Sequence, residues 1–393
     1  MSKKVIGILG FLVIIVGLLG AYCFNLNREI VALTELQKEA SHQIISMQGN
    51  INIMDAEMVS LNKEVTSRMM DVEDKISTLS SKIEDIAVIS TERLYEEVKS
   101  GVVEVITEAG GIKQITASGF IFDPQGYVVT AYHVVEEATK VDVILYDGTI
   151  SAASVTGYCP FSDIAVLTLE QALTTDALIV GDSNAIAIGE PVIAVGSPFE
   201  LSGTVTSGIV SQKDRFVDIE YDIGKHHWVP NLIQCDATVN FGNSGGPLIN
   251  SKGEVIGLTI ARVDPGEGDG IYYSVSSNKL KRVALSLIDR GFFDYPWLGV
   301  KLTNLTPQEA RARQLDTING VRVTEAIAGN PAALAGITAD DIIVAIDGIP
   351  VRETADLTSY LGENKSPDET AMLTIMRDGE TREIAVKLGK RAS

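Results

Sequence analysis

The chain has 393 residues, with 32 Lys or Arg against 52 Asp or Glu, for a formal net charge of −20. That length points to two or three domains rather than one. The 45% hydrophobic fraction excludes wholesale disorder, and the acidic balance excludes nucleic acid as a main partner, since phosphate binding needs clustered Lys and Arg.

The N-terminal segment Val5–Phe24 holds 20 residues and no charge. As a helix it spans about 30 Å, the thickness of the hydrocarbon core. A cleaved secretory signal would have a shorter core and a small-x-small site after it, and none follows here. Bulky Tyr22 before Cys23 also disfavours a lipoprotein signal. Lys3 and Lys4 precede the span and place the N-terminus in the cytoplasm. The expectation is a single-pass anchor with the catalytic body periplasmic or extracellular.

Residues 28–100 contain no Pro and one Gly, Gly49. Apolar residues recur in alternating steps of three and four, from Ile30 and Leu33 through Ala40, Ile44, Met47 and Ile51 to Val65. One four-residue stutter at Met69 precedes Val72, Ile76, Leu79, Ile83 and Ile86. This is a heptad seam, with Gln37 as a register-setting polar residue. It predicts a self-associating coiled-coil stalk about 85 Å long. Ile at both kinds of seam position leans towards a homotrimer.

After Gly101 short β-like runs alternate with turn residues: Val102–Thr107, Ser118–Phe122, Tyr127–Thr130 and Val141–Leu145, then Pro191–Val195, Thr204–Val210, Leu232–Cys235, Pro247–Ile249, Val255–Ile260 and Ile271–Val275. Asp147-Gly148 and Lys252-Gly253 mark tight turns between them. Many short strands predict barrels or a sandwich. The chemistry sits in Gly242-Asn243-Ser244-Gly245-Gly246. The glycines permit a sharp bend and free N–H groups for an oxyanion. Alone, the pentapeptide also fits the elbow of an α/β-hydrolase. That fold needs its His after the Ser, whereas His42, His133, His226 and His227 all precede Ser244. His226 and His227, beside Trp228, read as a solvated loop pair. His133 ends a strand, and Asp163 opens the buried-looking run Asp-Ile-Ala-Val-Leu. The order His133, Asp163, Ser244 is that of chymotrypsin-type proteases.

The flanking words are more specific. Ser118-Gly-Phe-Ile-Phe, Val129-Thr-Ala-Tyr-His-Val-Val, Ser162-Asp-Ile-Ala-Val-Leu, Ala194-Val-Gly-Ser-Pro-Phe and Asp236-Ala-Thr-Val-Asn-Phe-Gly-Asn-Ser-Gly-Gly-Pro-Leu closely resemble the HtrA/Deg family of serine proteases. The resemblance runs from about residue 100 to 390. It implies two six-stranded β-barrels with the site in the cleft between them, and no cofactor or metal. Ser244 would be the nucleophile, His133 the base and Asp163 its orienter, with an oxyanion hole at Gly242, Asn243 and Ser244. Pocket walls are expected at Thr238, Val239, Ile271, Tyr272 and Tyr273. Thr238 stands where trypsin-type enzymes carry an acid, so small or medium aliphatic P1 residues are expected. Phe241, Tyr132 and the Tyr272-Tyr273 pair depart from the family pattern. Asp264–Asp269 reads as a solvated acidic turn, and Cys159 and Cys235 are candidates for a disulfide that nothing in the sequence brings together.

Ser276–Arg290 reads as a helix, followed by a short connection and a segment with its own rhythm. Thr306-Pro-Gln-Glu309 is a capping box, Asn330–Gly336 a short helix capped at both ends, Ala355–Leu361 a further helix, and Asp347-Gly348 and Asp378-Gly379 are hairpin turns. This resembles the PDZ domain that follows HtrA proteases, with Trp297, Leu298, Gly299 and Val300 as its carboxylate-binding loop and C-terminal peptides as ligands. The expected chain is therefore mainly β: a chymotrypsin-like double β-barrel protease (99–290) and an α/β PDZ domain (291–393), after a transmembrane anchor (1–27) and a coiled-coil stalk (28–98). Its expected function is that of an envelope serine endopeptidase acting on misfolded or regulatory proteins. The alternative is a non-proteolytic peptide-binding scaffold with a silent triad.

Overall fold

A computed structural model describes residues 3–86, 90–171, 176–196, 203–222, 225–240, 242–262 and 270–391. The acidic turn expected at 264–269 lies outside them. Two compact units divide at Ala87 and Val88. The first is one unbroken helix, α1 (Lys3–Ile86), with its described side chains exposed. It is long and apolar enough near its N-terminus to cross a membrane. Beyond the apolar span, Glu64 pairs with Arg68 and Asp71 with Lys75, each at 2.7 Å, with the acid N-terminal as helix electrostatics prefer.

The second unit opens with α2 (Thr91–Val98), capped by the Ser90 hydroxyl. Leu94 and Val98 are buried in the same core as the barrels that follow. The expected stalk, 28–98, reaches past the seam's end at Ile86 to include these residues, whereas they pack into the second unit.

The first closed barrel comprises β1 (Val102–Ala109), β2 (Ile112–Asp123) and β3 (Tyr127–Thr130), then, after the single turn α3 (Tyr132–Val135), β4 (Lys140–Ile144), β5 (Ile150–Cys159) and β6 (Ile164–Leu169). The second comprises β7 (Pro191–Gly196), β8 (Thr204–Asp222), β9 (Lys225–Cys235), β10 (Pro247–Asn250), β11 (Val255–Arg262) and β12 (Tyr272–Ser276). Both are six-stranded, as expected. Closure removes the exposed edges that strands of this length would otherwise present.

Strands β8 and β9 run well past the expected ends as a bulged ribbon. His226 and His227 therefore stand in a strand, opposite Glu220 and Ile219, and not in a loop. The ladder satisfies their backbone groups, which a polar composition alone did not signal.

Helix α4 (Ser277–Arg290) packs on strands of both barrels and buries Leu280, Val283, Ala284 and Leu287. Cys159 and Cys235 are free and buried, the first in the core shared by the barrels and the second in a separate cluster within the second barrel.

The last module contains β13 (Pro296–Trp297), β14 (Val300–Asn304), α5 (Pro307–Ala312), β15 (Val321–Ala326), α6 (Pro331–Leu334), β16 (Ile342–Ile346), β17 (Ile349–Pro350), α7 (Thr354–Asn364), β18 (Thr370–Arg377), β19 (Glu380–Lys387) and β20 (Gly389–Lys390). The capping box at Thr306 and Glu309 forms. Asp347-Gly348 and Asp378-Gly379 all have positive φ, as two-residue hairpin turns require. Asn330 makes no side-chain cap on α6, because its Oδ1 accepts from Trp297 Nε1 at 3.0 Å. Strand β14 lies at one edge of its sheet. Helix α7 packs against β14 on one side and against β8 and β9 of the second barrel on another.

Candidate active site

The site is built from loops that the barrels hold in place. Strand β3 ends at Thr130, and His133 follows on the one-turn helix α3. Asp163 ends the short turn Pro160–Ser162 with φ 52°, a left-handed conformation that Asp adopts more readily than most residues. It is 1% exposed, so its charge needs partners. His133 supplies two: its backbone N–H donates to Oδ1 at 2.9 Å, and Nδ1 lies 2.7 Å from Oδ2. The Tyr132 N–H donates to the Asp163 carbonyl at 3.2 Å. Two-point holding of the carboxylate fixes the ring and sets its Nδ1 as the protonated nitrogen, leaving Nε2 to accept a proton.

Ser244 lies on the turn between β9 and β10. Its carbonyl accepts the Ser118 N–H at 2.9 Å, and the Ser118 hydroxyl donates to the Gly242 carbonyl at 2.6 Å. Ser118 belongs to β2, so one residue of the first barrel clamps both sides of the serine turn. Gly245 completes the join. A Cβ there would drive into the Ser118 carbonyl, the Thr130 hydroxyl and the Ala131 N–H. Only glycine allows this approach, which brings Ser244 beside the segment that leads into His133. The Ser244 hydroxyl donates to the Ile260 carbonyl at 3.5 Å, a long and weak bond that a stronger acceptor readily displaces.

Gly242 has φ 103° and Asn243 is buried, with its N–H donating to Asn240 at 3.0 Å. Among the described residues, no hydrogen bond engages the Gly242 or Ser244 N–H. Two backbone donors left unengaged beside a serine hydroxyl suit an oxyanion. Tyr132 stacks on Tyr158 with ring centroids 5.0 Å apart, and burial beside Glu136 pushes its phenol up to about 12.

The expected pocket residues are less unified. Val239 is buried and Thr238 exposed. Tyr273 joins the core shared by the barrels, while Tyr272 packs on the cluster inside the second barrel. Successive strand residues face opposite ways, so the two tyrosines do not line one wall. Sequence reasoning missed Ser118 as a clamp. Its only signal was membership of the Ser118-Gly-Phe-Ile-Phe word.

At the other module, the Leu298 carbonyl accepts from Ala332 N–H and the Gly299 carbonyl from Ile327 N–H, each at 2.9 Å. Leu298 is buried in that module's core. The Trp297–Val300 loop thus leads directly into edge strand β14.

Residues 117–258 match a trypsin-like peptidase domain, and residues 296–388 match a PDZ domain. The chain is 32% identical over 344 residues to the serine protease Do-like HtrA of Bacillus subtilis, covering 84% of this chain and 75% of that one. The chain belongs to the HtrA family of serine proteases. It is also 37% identical over 272 residues to a probable periplasmic serine endoprotease, DegP-like, of Bartonella henselae. That match covers 69% of this chain and 52% of the relative, so this HtrA chain spans about half the length of the DegP-like relatives it matches. Among solved structures it resembles the HtrA-type protease AlgW with tripeptide, at 28% identity and TM-score 0.65, covering 77% of this chain and 98% of that one. AlgW with decapeptide matches at 25% identity and TM-score 0.62, covering 78% and 100%. The two domains matched in this HtrA chain contain His133, Asp163 and Ser244 in the first and the Trp297–Val300 loop in the second.

Proposed function

We propose that this HtrA protein is a membrane-anchored serine endopeptidase of the cell envelope, acting on misfolded or regulatory proteins through a His133–Asp163–Ser244 triad. The observation that carries the reading is the two-point grip of Asp163 on His133, at 2.9 and 2.7 Å, on loops of the same barrel that clamps the Ser244 turn through Ser118. Ser244 Oγ attacks the peptide carbonyl. Nε2 of His133 takes the hydroxyl proton and later passes it to the leaving amine. Asp163 stabilises the imidazolium formed in between. The tetrahedral oxyanion is held by the N–H groups of Gly242 and Ser244, with buried Asn243 fixing the turn between them.

Membrane attachment is supported by the apolar stretch of α1 and by the periplasmic naming of relatives. The same helix exposes its heptad seam, including Ile44, Met47, Ile51, Met54 and Leu79. Burying that seam against other copies, as a homotrimer, removes a long apolar stripe from water. Edge strand β14 and the Trp297–Val300 loop suit β-augmentation by a peptide C-terminus, with loop N–H groups at its carboxylate. Peptide binding there regulates the protease. Thr238, Val239, Ile271 and either Tyr272 or Tyr273 bound the specificity pocket.

The test is hydrolysis of casein by the full chain in detergent, with labelling by a fluorophosphonate. Wild type is expected to cleave and to be labelled at Ser244, and Ser244→Ala to do neither. Equal activity in the two proteins refutes the assignment.

A further inference from the structure

One cluster of polar groups that this chemistry leaves unused, with Lys279, Arg282 and Glu363, lies where α4 meets the PDZ domain. One set has a different placement, because it touches both functional loops at once. Phe161 sits in the turn that carries Asp163, two residues before it. The Arg391 guanidinium lies over the Phe161 ring, 3.8 Å from its centroid, and 5.2 Å from the centroid of Trp297. Trp297 opens the peptide-carboxylate loop. Tyr295 closes the arrangement. Its ring meets Phe161 edge-on at 4.4 Å, its Oη accepts from the Ser162 hydroxyl at 3.3 Å, and its carbonyl accepts the Arg391 N–H at 2.9 Å. The pairing of β13 with β20 fixes the backbones on which Tyr295 and Arg391 stand.

We propose that Arg391 and Tyr295 are positioning residues for Asp163, acting through Phe161 and Ser162, and that the Arg391 stack ties the orientation of the catalytic carboxylate to the Trp297–Val300 loop. The assignment rests on the triad reading given above. Asp163 must meet two donors of His133 simultaneously from a left-handed backbone position at the end of a three-residue turn. Such a carboxylate tolerates little rotation, and displacements of about 1 Å at a catalytic group cost up to ~100-fold in rate. The His133 side of the turn is held by hydrogen bonds. The opposite side is held by Tyr295 and Arg391, whose planar guanidinium stacks where a Lys ammonium would not.

The experiment uses the full chain in detergent and reads kcat and KM on a fluorogenic casein, together with the rate of fluorophosphonate labelling of Ser244, which needs no substrate subsites. Arg391→Ala and Phe161→Leu are expected to lower kcat and the labelling rate ~10-fold, with KM within ~2-fold of wild type. Arg391→Lys, which keeps the charge and loses the plane, falls with them. Phe161→Tyr, which keeps the ring, restores wild-type rates. Tyr295→Phe lies between, and Lys387→Ala, on the exposed face of β19, leaves both rates unchanged. Circular dichroism that matches wild type separates these effects from unfolding. Arg391→Ala with unchanged kcat and labelling beside an active wild type overturns the positioning role alone. A change confined to KM does the same. A wild type without Ser244-dependent hydrolysis overturns the triad reading, and this inference with it.

Discussion

Gly362 of α7 packs closely against Asn231 and Lys279 of the protease, and Gly362→Ala tests that seat. Lys279 Nζ, wholly buried, donates to the Gly362 carbonyl at 2.8 Å and lies 3.7 Å from the centroid of the Tyr295 ring. Arg282 donates to the same carbonyl at 2.9 Å. An added Cβ would come within 2.6 Å of Asn231 Oδ1 and 2.7 Å of Lys279 Nζ. The end of a flexible lysine ordinarily gives way cheaply, but here it has no solvent to move into, and burial already holds its pKa well below the usual lysine range. Overpacking costs about 2 kcal/mol, and pulling a buried donor off its acceptor about 2 more. The gain from replacing glycine within a helix offsets about 1, leaving a loss of ~3 kcal/mol. With a urea slope near 3 kcal/mol/M, the midpoint falls by ~1 M. Proteolysis in the connection around 291–296 is expected to quicken as the module detaches. The control is Gly49→Ala on α1, where a Cβ meets nothing within 4 Å; it should not destabilise. A Gly362→Ala protein with the wild-type midpoint would refute the argument.

Asp163→Asn keeps the left-handed backbone but loses the charge and the preferred tautomer of His133. It is expected to lower kcat by ~10⁴-fold without unfolding the chain, read by casein hydrolysis beside circular dichroism. Glu363 accepts from the Ser276 hydroxyl, and burial raises its pKa, as it does that of Asp214. A raised folded-state pKa favours the protonated form, so this contribution to stability is complete below the ordinary carboxyl value and is lost as pH rises through the folded value. Urea midpoints of Glu363→Gln should therefore gain on wild type as pH climbs from 4 to 7, and a constant difference would count against it. Burial also raises both core thiols, Cys235 to about 12. Iodoacetamide at pH 8 should leave Cys159 and Cys235 unmodified in the native protein and alkylate both in denaturant.

The protease family and the proposed triad were legible because they depend on which residue types occur and in what order. Four histidines all preceding Ser244 sufficed to exclude one hydrolase class, and the glycines around Ser244 announced a sharp turn. Strands with alternating apolar residues and Asp-Gly hairpins were equally legible, since their signals are local. Strand β5 was not. Its sequence, Ile-Ser-Ala-Ala-Ser-Val-Thr-Gly-Tyr-Cys, is small and polar, and it is a strand because β4 and β6 pair with it on either side to close the barrel. The extension of β8 and β9 past Val210 has the same origin, as each strand supplies the other's hydrogen bonds through several bulges.

Geometry escaped the sequence for a related reason. Ser118 stands 124 residues from Gly242, yet its hydroxyl and N–H hold the serine turn. Lys279 reads as an ordinary polar position of an amphipathic helix, and only the arrival of α7, 83 residues later in the chain, makes it a buried anchor. In each case the residue's role is set by a backbone carbonyl that carries no side-chain signature, and even the family word that opens with Ser118 does not announce the contact. Catalytic groups advertise themselves by chemical type, whereas the groups that aim them are recruited by proximity. A family pattern built from motif words therefore nominates His133, Asp163 and Ser244, while the contacts that fix their orientation have to be found in the packing.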